Sequence, residues 1–219
     1  MKAPVALVVA KAPVPGKAKT RLGRVVGPEL AADLAAAAWL DTLEACVTAF
    51  GVDRCHLALT GDLSRAARSD ELTAAIAGWT VHEQRGDGFA ERLRNAHADV
   101  AAATGAPVVQ VGMDTPQVEP RHLLEVESLL NGEDDAVLAP ADDGGWWLLG
   151  VGGPHLLEHL GDVPMSTDVT GQLTQVALGK AGAHVVRIEA LRDVDEPADA
   201  DAVAALAPHT RFAQAWRAR

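Results

Sequence analysis

Short apolar runs alternate with longer stretches of helical spacing along almost the whole chain. The apolar runs predict seven strands, at Val5–Ala10, Cys55–Thr60, Trp79–Gln84, Pro107–Val111, Ala136–Ala139, Trp146–Val151 and His184–Glu189. The remaining stretches predict helices at Pro28–Ala49, Leu63–Ala77, Phe89–Thr104, Pro120–Leu130, Asp168–Ala181, Ala198–Leu206 and His209–Arg217. Such alternation is typical of a mostly parallel sheet covered by helices on both faces. We therefore predict an α/β fold with about seven strands, and one domain over residues 1–219.

The charge balance narrows the classes of partner. The formal net charge is −11, which argues against binding nucleic acid or an anionic membrane, because both need a basic surface. No apolar run approaches the ~20 residues that span a bilayer, and the start of the chain does not resemble a signal peptide. Cys46 and Cys55 form no metal-binding pattern. We expect a cytoplasmic protein with reduced cysteines, either a monomer or a homodimer.

The basic residues concentrate in the segment after the first strand. This segment contains Lys11, Pro15, Gly16, Lys17, Lys19 and Arg21. Lysine and arginine supply charge and hydrogen-bond donors suited to phosphate oxygens, and the prolines stiffen the loop. Lys11 and Ala18 stand where a Walker A motif needs glycine and serine or threonine, and the dinucleotide-binding glycine pattern is also missing. The segment predicts a site for a small anionic ligand; the alternative is a solvated basic loop.

Three aspartates follow strands. Asp114 comes after the fourth strand, and Asp193 and Asp195 come after the last. In open α/β sheets, ligands bind at the carboxyl ends of strands where the strand order reverses, so the first and fourth strands would bring Asp114 to the basic loop if they are neighbours. Mg²⁺ usually takes one or two protein carboxylates, and phosphates and water complete its shell. We predict that these aspartates hold Mg²⁺ or Mn²⁺; the alternatives are helix caps and an Asx turn.

Two further segments suit a second substrate. They contain Asp143, Gly144, Gly145, Trp146, Ser166 and Thr167. Paired glycines let a ligand approach the backbone, and hydroxyls before a predicted helix can donate to an acceptor's phosphate or carboxylate. The alternatives are a tight turn with core tryptophans and a plain helix cap.

Gln84 and Gly86 lie where the third predicted strand turns into a helix. A glycine-bounded turn at this place could contact the base or ribose of a nucleotide. The alternative is a plain strand-to-helix turn. We assign both residues to nucleotide binding.

Six stretches, in order along the chain, resemble the DUF2064 family. They are "AKAPVPGKAKTRL", "QRGDGFAERL", "GMDTP", "PADDGGWWLLG", "MSTDVTG" and "DVDEP". That family is described as selenodomain-associated or arsenosugar-biosynthesis-type transferases of the nucleotide-diphospho-sugar transferase superfamily. It is similar to molybdenum-cofactor nucleotidyltransferases and to 2-phospho-lactate guanylyltransferase. The resemblance implies a Rossmann-like GT-A fold.

The resemblance also implies roles for single residues. It assigns phosphate binding to the basic loop, metal binding to Asp114, the acceptor side to residues 143–145, and a second carboxylate pair to Asp193 and Asp195. Trp146 and Trp147 replace common tyrosines, Met165 a frequent tryptophan and Glu196 a frequent threonine. These departures surround the acceptor side, so the acceptor is the least defined part.

Motifs and resemblance together predict a metal-dependent transferase that uses a nucleotide or nucleotide-sugar and a small-molecule acceptor. We assign catalytic roles to Lys17, Asp114 and Asp195. The many lysines favour nucleotidyl transfer, because a triphosphate carries more charge than a diphosphate. One alternative is a GT-A glycosyltransferase that uses a nucleotide-sugar, which the family's usual label favours. A second is a non-catalytic nucleotide-binding domain.

Overall fold

One seven-stranded sheet organises the chain. The computed structural model describes residues 2–219. Its strands are β1 Val5–Lys11, β2 Cys55–Thr60, β3 Thr80–Glu83, β4 Val108–Val111, β5 Asp135–Pro140, β6 Trp146–Val151 and β7 His184–Arg187. Its helices are α1 Thr20–Val26, α2 Pro28–Phe50, α3 Ser69–Ala75, α4 Phe89–Thr104, α5 Pro120–Leu129, α6 Thr170–Lys180, α7 Pro197–Leu206 and α8 Arg211–Arg217. None of the helices described in residues 2–219 has the length and hydrophobicity that crossing a membrane requires.

The strand order is β3-β2-β1-β4-β6-β5-β7. β1 lies between β2 and β4 and is parallel to both, so the strand order reverses there. This confirms that the loops after the first and fourth strands are neighbours. β6 is antiparallel to β4 and β5, because the short turn between β5 and β6 allows only an antiparallel pair. The predicted α/β class and mostly parallel sheet are confirmed.

The helices differ from the prediction in two places. No helix was predicted between the first strand and Pro28, whereas α1 begins at Thr20. Seven residues are too few for a helix to be stable on local propensity, so α1 depends on tertiary packing through the fully buried Leu22. The helix predicted at Leu63–Ala77 is shorter, because Arg68 adopts a left-handed conformation (φ 52°) and α3 begins only after it.

Each face of the sheet carries its own apolar core. Along β1, alternate side chains face opposite ways, so Ala6 and Val8 pack towards α2 while Leu7 and Val9 pack towards α4. α2 is the longest helix. It begins at Pro28, whose fixed φ suits a first helical turn, and ends before Gly51 (φ 78°). A third cluster joins α1 and α2 to α7 and α8. Both cysteines are buried and free, as the sequence predicted.

One polar pair interrupts the core on the α4 face. His97 of α4 is fully buried and Gln110 of β4 is 2% exposed. The His97 Nε2 and the Gln110 Oε1 lie 2.9 Å apart. Burial lowers the pKa of His97 to about 4, and the hydrogen bond to Gln110 only partly offsets this. His97 is therefore neutral near pH 7 and donates its Nε2–H to the glutamine.

This pair makes folding stability depend on pH. The pKa of His97 is about 4 in the folded chain and about 6.5 when unfolded, so the unfolded state binds more protons between those values. The contribution of His97 to folding stability is fully present above pH 6.5 and is lost as the pH drops towards 4, by about 3 kcal/mol, since each pKa unit corresponds to about 1.4 kcal/mol. Urea unfolding at pH 7.5 and 4.5 should show a smaller loss for His97→Gln than for the unsubstituted chain. Equal losses would contradict the assignment.

Candidate active site

Two adjoining pockets open where β1 and β4 end. The lysine pocket is lined mainly by Lys11, Lys17, Lys19, Arg21, Met113, Asp114 and Asp195. The glycine-turn pocket is named after the turn at residues 143–145 and encloses about 440 Å³. That volume suits a small ligand. Arg21, Asp114 and Asp195 line both pockets and form their boundary.

The basic loop is shaped by a turn before Lys17. The Lys17 backbone N–H donates to the Val14 carbonyl (2.9 Å), and Gly16 has a φ of 75°. Proline followed by a residue with positive φ is the pattern of a type II turn, which explains Pro15 and Gly16. The turn leaves Lys17 exposed and lining the lysine pocket; its predicted role in phosphate binding stays a prediction.

Lys19 joins two distant aspartates. Its Nζ donates to Asp114 Oδ2 and to Asp195 Oδ1, both at 2.7 Å, and Arg21 donates to the other oxygen of Asp195 at 3.2 Å. Burial alone would lower the pKa of Lys19, but the two carboxylates outweigh burial and raise it. Burial alone would raise the pKa of Asp195, but Lys19 and Arg21 lower it. Lys19 and Asp195 are therefore both charged near neutral pH.

The segment after β7 reaches Asp114 through one backbone hydrogen bond. The Val194 N–H donates to the Asp114 carbonyl at 3.1 Å, and the Val194 side chain is buried. Asp193 and Asp195, on either side of the buried Val194, both line the glycine-turn pocket. The two aspartates therefore face the same pocket, as their spacing of two residues in the sequence predicts.

The surroundings of Asp193 raise the pKa of its carboxyl group. Burial is the largest cause that raises its pKa to about 7, and repulsion from Asp114 and Asp143 adds to it. Lys19 lowers this pKa only slightly. Within residues 2–219, no lysine or arginine forms a salt bridge with Asp193. A cation placed beside Asp193 and Asp114 would relieve this repulsion.

The predicted three-aspartate metal set does not come together in the structure. No group of three histidine, cysteine or acidic side chains could hold an ion in the part of the chain that is described. The physical reason is Lys19, whose ammonium lies between Asp114 and Asp195. Asp114 and Asp193 still form a repelling pair. Since Mg²⁺ needs only one or two protein carboxylates, this pair fits a divalent cation that takes its other ligands from phosphates and water.

The turn after β5 packs tightly on the segment before α6. Gly144 has a φ of 90°, and its carbonyl accepts from the Gly171 N–H at 2.8 Å. A Cβ on Gly144 would overlap the carbonyl oxygen of Asp168. Ser166 adopts a left-handed conformation (φ 60°), a strained state for a serine. Such strain persists only where the surrounding structure enforces it.

The structure brings most of the predicted acceptor-side residues into one pocket. Those lining it are Asp143, Gly145, Trp146, Ser166 and Thr167. Trp146 is held there by a hydrogen bond from its Nε1 to Thr174 (3.1 Å), whereas Trp147 belongs to the core. Gly144 lies behind the lining and supports it.

Gln84 and Gly86 are not brought into the site. The Gln84 side-chain amide donates to the carbonyls of Ala10 (2.8 Å) and Ala58 (2.9 Å), so it ties β1 to β2. Neither residue is among the described residues that line the two pockets. Their assignment to nucleotide binding stays a prediction from sequence.

Sequence reasoning did not assign several residues that line the glycine-turn pocket. These are Val9, Phe89, Gln110, Met165, Asp168 and Thr170. The sequence does contain a feature that could have identified Gln110, because it is the one polar residue in the apolar run Pro107–Val111. Phe89 is a large apolar side chain, yet it is 53% exposed and lines the pocket. It therefore lies where the pocket opens to solvent.

Removing the charge of Lys19 should destabilise the folded chain. Lys19→Met leaves Asp114 and Asp195 facing each other without their shared cation. We expect a loss of about 1–3 kcal/mol, less than for a fully buried pair, because both carboxylates are about one-third exposed. Urea unfolding in metal-free buffer measures it. Lys180→Met, at an exposed lysine of α6, is the matched control and should change stability by about 0.5 kcal/mol or less. Equal effects would contradict the bridge.

Adding one methyl group to the glycine turn should also destabilise the chain. Gly144→Ala forces an alanine to a φ of 90° and against the Asp168 carbonyl, so we expect a loss of about 2 kcal/mol or more. Gly179→Ala in α6 is the matched control, because its Cβ would meet nothing within 4 Å. Gly179→Ala should be neutral or stabilise by up to about 1 kcal/mol. A tolerated Gly144→Ala would contradict the packing of this turn.

The chain shares its fold with solved structures. A protein from Desulfovibrio desulfuricans G20, provisionally described as a nucleotide-diphospho-sugar transferase, superposes with a TM-score of 0.83 at 24% identity, over 99% of this chain and 95% of that one. A nucleotidyl transferase from Methanothermobacter gives a TM-score of 0.59 at 18% identity, over 98% and 99% of the two chains. Rv0371c from Mycobacterium tuberculosis H37Rv, in complex with manganese, gives 0.51 at 19% identity, over 92% and 98%. At these identities the likeness establishes the fold.

Sequence comparison defines the family. No curated protein matches the chain. The model of the DUF2064 family, described as an uncharacterized protein conserved in bacteria, matches residues 42–167. The match covers more than half of the 219 residues. It includes the GMDTP and PADDGGWWLLG motifs whose side chains line the glycine-turn pocket. The chain therefore belongs to the DUF2064 family.

Proposed function

We propose that this chain transfers a nucleotidyl group from a nucleoside triphosphate to a small-molecule acceptor, with a divalent cation. One observation carries the proposal: the lysine pocket and the glycine-turn pocket meet at Asp114 and Asp195. A phosphate chain in one pocket and an acceptor in the other would have their reacting atoms at that boundary. Holding two reactants in this way can supply much of a rate enhancement.

The lysine pocket supports a triphosphate. Lys11 and Lys17 are exposed at its rim and make no ion pair within residues 2–219, so both are available to phosphate oxygens. Lys19 is engaged by Asp114 and Asp195, and its role is to hold both carboxylates in place. Two available lysines suit a triphosphate better than a diphosphate, because the longer chain carries more charge. The description of the Methanothermobacter neighbour as a nucleotidyl transferase supports this choice.

Asp114 and Asp193 would hold the divalent cation. Their repulsion, and the lack of a cationic partner for Asp193 among the described residues, support this assignment. The manganese complex of the M. tuberculosis neighbour supports the choice of metal class. When bound, such an ion neutralises negative charge on transferring phosphates. The chain's own part is to position the substrates around it.

The proposed reaction is a substitution at phosphorus. An acceptor oxygen in the glycine-turn pocket forms a bond to the α-phosphorus, while the bond from that phosphorus to the bridging oxygen of the β-phosphate breaks. Pyrophosphate leaves with both bonding electrons, and Lys11 and Lys17 stabilise its growing charge. No general base is needed if the attacking oxygen belongs to an anionic phosphate or carboxylate.

Glycosyl transfer is the second candidate. The description of the D. desulfuricans neighbour, which has the highest TM-score of the three structures, favours it. In that reaction the glycine-turn pocket would hold the sugar of a nucleotide-sugar, and a nucleoside diphosphate would leave. The phosphate-binding residues would be the same in both reactions.

The leaving group distinguishes the two reactions. Purified protein is incubated with Mg²⁺ or Mn²⁺, a mixture of sugar phosphates, and either the four nucleoside triphosphates or UDP- and GDP-sugars. Metal-dependent release of pyrophosphate that requires the sugar phosphates supports the proposal. Release of a nucleoside diphosphate from a nucleotide-sugar supports glycosyl transfer instead. Nucleotide-dependent thermal stabilisation without either product would contradict catalysis and leave a binding domain.

Asp114 should be essential for turnover. We expect Asp114→Asn to lower kcat/KM by about 100-fold or more, because the neutral amide weakens the cation site and releases Lys19 from one partner. Asp53→Asn, at an exposed aspartate before β2, is the matched control and should keep full activity. Circular dichroism and urea unfolding establish that both variants fold. A folded, fully active Asp114→Asn would contradict the proposed site.

A further inference from the structure

One glutamine interrupts the apolar face of the sheet beneath the glycine-turn pocket. Gln110 lies on β4, and its neighbours in register are Leu7 on β1 and Leu149 on β6. Both leucines are fully buried. Gln110 is 2% exposed and lines the pocket, so its small accessible surface faces the space where a ligand would bind.

Only one half of this buried amide has a protein partner. The Gln110 Oε1 accepts from His97 Nε2 at 2.9 Å. The Gln110 Nε2 makes no hydrogen bond within residues 2–219. It is also not among the side-chain atoms that are both fully buried and without a partner, so part of its surface is accessible. The nitrogen is therefore accessible from the pocket and still has donor capacity.

The histidine decides which end of the amide faces the pocket. His97 Nδ1 is enclosed and has no partner among the described residues. If the ring proton of His97 is on Nε2, then Nδ1 is unprotonated and only an acceptor is left without a partner. If the glutamine amide were flipped, Nε2 would have to accept, and the ring proton would lie on a buried Nδ1 that has no partner. Buried N–H groups without partners are the rarer case. His97 therefore donates through Nε2 and turns the NH₂ group of Gln110 towards the pocket.

Stability does not explain this pair. Replacing two hydrogen-bonded partners by apolar side chains of similar shape is nearly neutral or stabilising, and the surroundings of Gln110 and His97 are apolar. A buried amide with a donor left over is costly until a ligand completes it. These facts point to a role in binding.

The rest of the pocket indicates what the amide contacts. Asp143, Asp168 and Asp193 line it, whereas Arg21, the one cationic residue among its described lining, lies at the boundary with the lysine pocket, so an anionic group placed away from that boundary would be repelled. Carboxylates accept hydrogen bonds from hydroxyls, while the amide N–H donates to an oxygen. Phe89 and Trp146 add aromatic surface on which the apolar face of a ring can lie. A neutral ring that bears hydroxyls satisfies all three features.

We infer that Gln110, oriented by His97, is a specificity-determining residue that donates a hydrogen bond to an oxygen of a hydroxylated ring in the glycine-turn pocket. This inference rests on the proposed function only in taking that pocket as a substrate site. The ring could belong to a sugar phosphate acceptor or to the sugar of a nucleotide-sugar. His97 acts through Gln110 and is a positioning residue.

Four chains test the inference. The double variant His97→Leu with Gln110→Leu removes both polar groups and fills the space, so it should fold with unchanged or higher stability. His97→Leu alone frees the amide to rotate. His97→Gln places a donor near the position of the lost Nε2 and should restore the orientation. The unsubstituted chain is the reference.

Two matched probe pairs measure selectivity. Calorimetric titrations in the presence of Mg²⁺ measure the affinity for each probe. The first pair is glucose 1-phosphate and cyclohexyl phosphate, whose ring has neither the ring oxygen nor the hydroxyls of glucose. The second pair is UDP-glucose and UDP. We expect the unsubstituted chain to prefer the oxygen-bearing probe of at least one pair by about tenfold or more, since the hydrogen bond from Gln110 alone contributes about tenfold. The ratio should fall by about tenfold in the double variant, decrease in His97→Leu and recover in His97→Gln, while the preference that the carboxylates contribute remains. A preference in the first pair identifies an acceptor ring; one only in the second identifies a donor sugar.

Two outcomes would overturn the inference. One is an undiminished preference in the folded double variant; the other is no preference in either pair for the unsubstituted chain. Both are separate from the test of the proposed function. Product formation without this selectivity rejects the role of Gln110 alone, whereas selectivity without any product rejects catalysis alone.

Discussion

Two aspartates that are far apart in the sequence share one lysine ammonium, and the candidate site is built around this contact. Lys19 lies between Asp114 and Asp195 at 2.7 Å from each. Without it, two carboxylates would face each other at the boundary of both pockets. A bridge of this kind costs solvation, and its value lies in fixing positions as much as in stability. Here it fixes the loop after β1, the loop after β4 and the segment after β7 relative to one another.

The sheet topology makes that contact possible. β1 and β4 are neighbours, so their loops leave the same edge side by side. β6 runs antiparallel beside β4, and the turn that precedes it adds Asp143 and its glycines to the same edge. Because β6 is reversed, it begins at the edge where β5 ends and the connection is a short turn, whereas in a wholly parallel sheet the chain after β5 would cross to the opposite edge before the next strand. The single reversed strand therefore gives the site its second pocket.

The site departs from the rules that the core follows. The core buries alternating apolar side chains on both faces of the sheet. The site instead holds Lys19 and Ser166 in left-handed conformations and leaves Asp193 repelled by its neighbours. Beneath it, Gln110 keeps a donor without a protein partner among the described residues. Strain and unsatisfied polarity collect at binding sites because a ligand can relieve them, whereas in the core they only cost stability.

Sequence alone determined the elements that depend on local pattern. Apolar periodicity located all seven strands, and proline, glycine and lysine marked the loop after β1, because these signals come from neighbouring residues. It did not reveal α1, which depends on packing of Leu22, or the donor function of Gln110, which depends on His97. Lys19 is 95 residues from Asp114 and 176 from Asp195. Only the tertiary structure decides which charges meet over such separations, because the pairing depends on distances in space that local pattern does not encode.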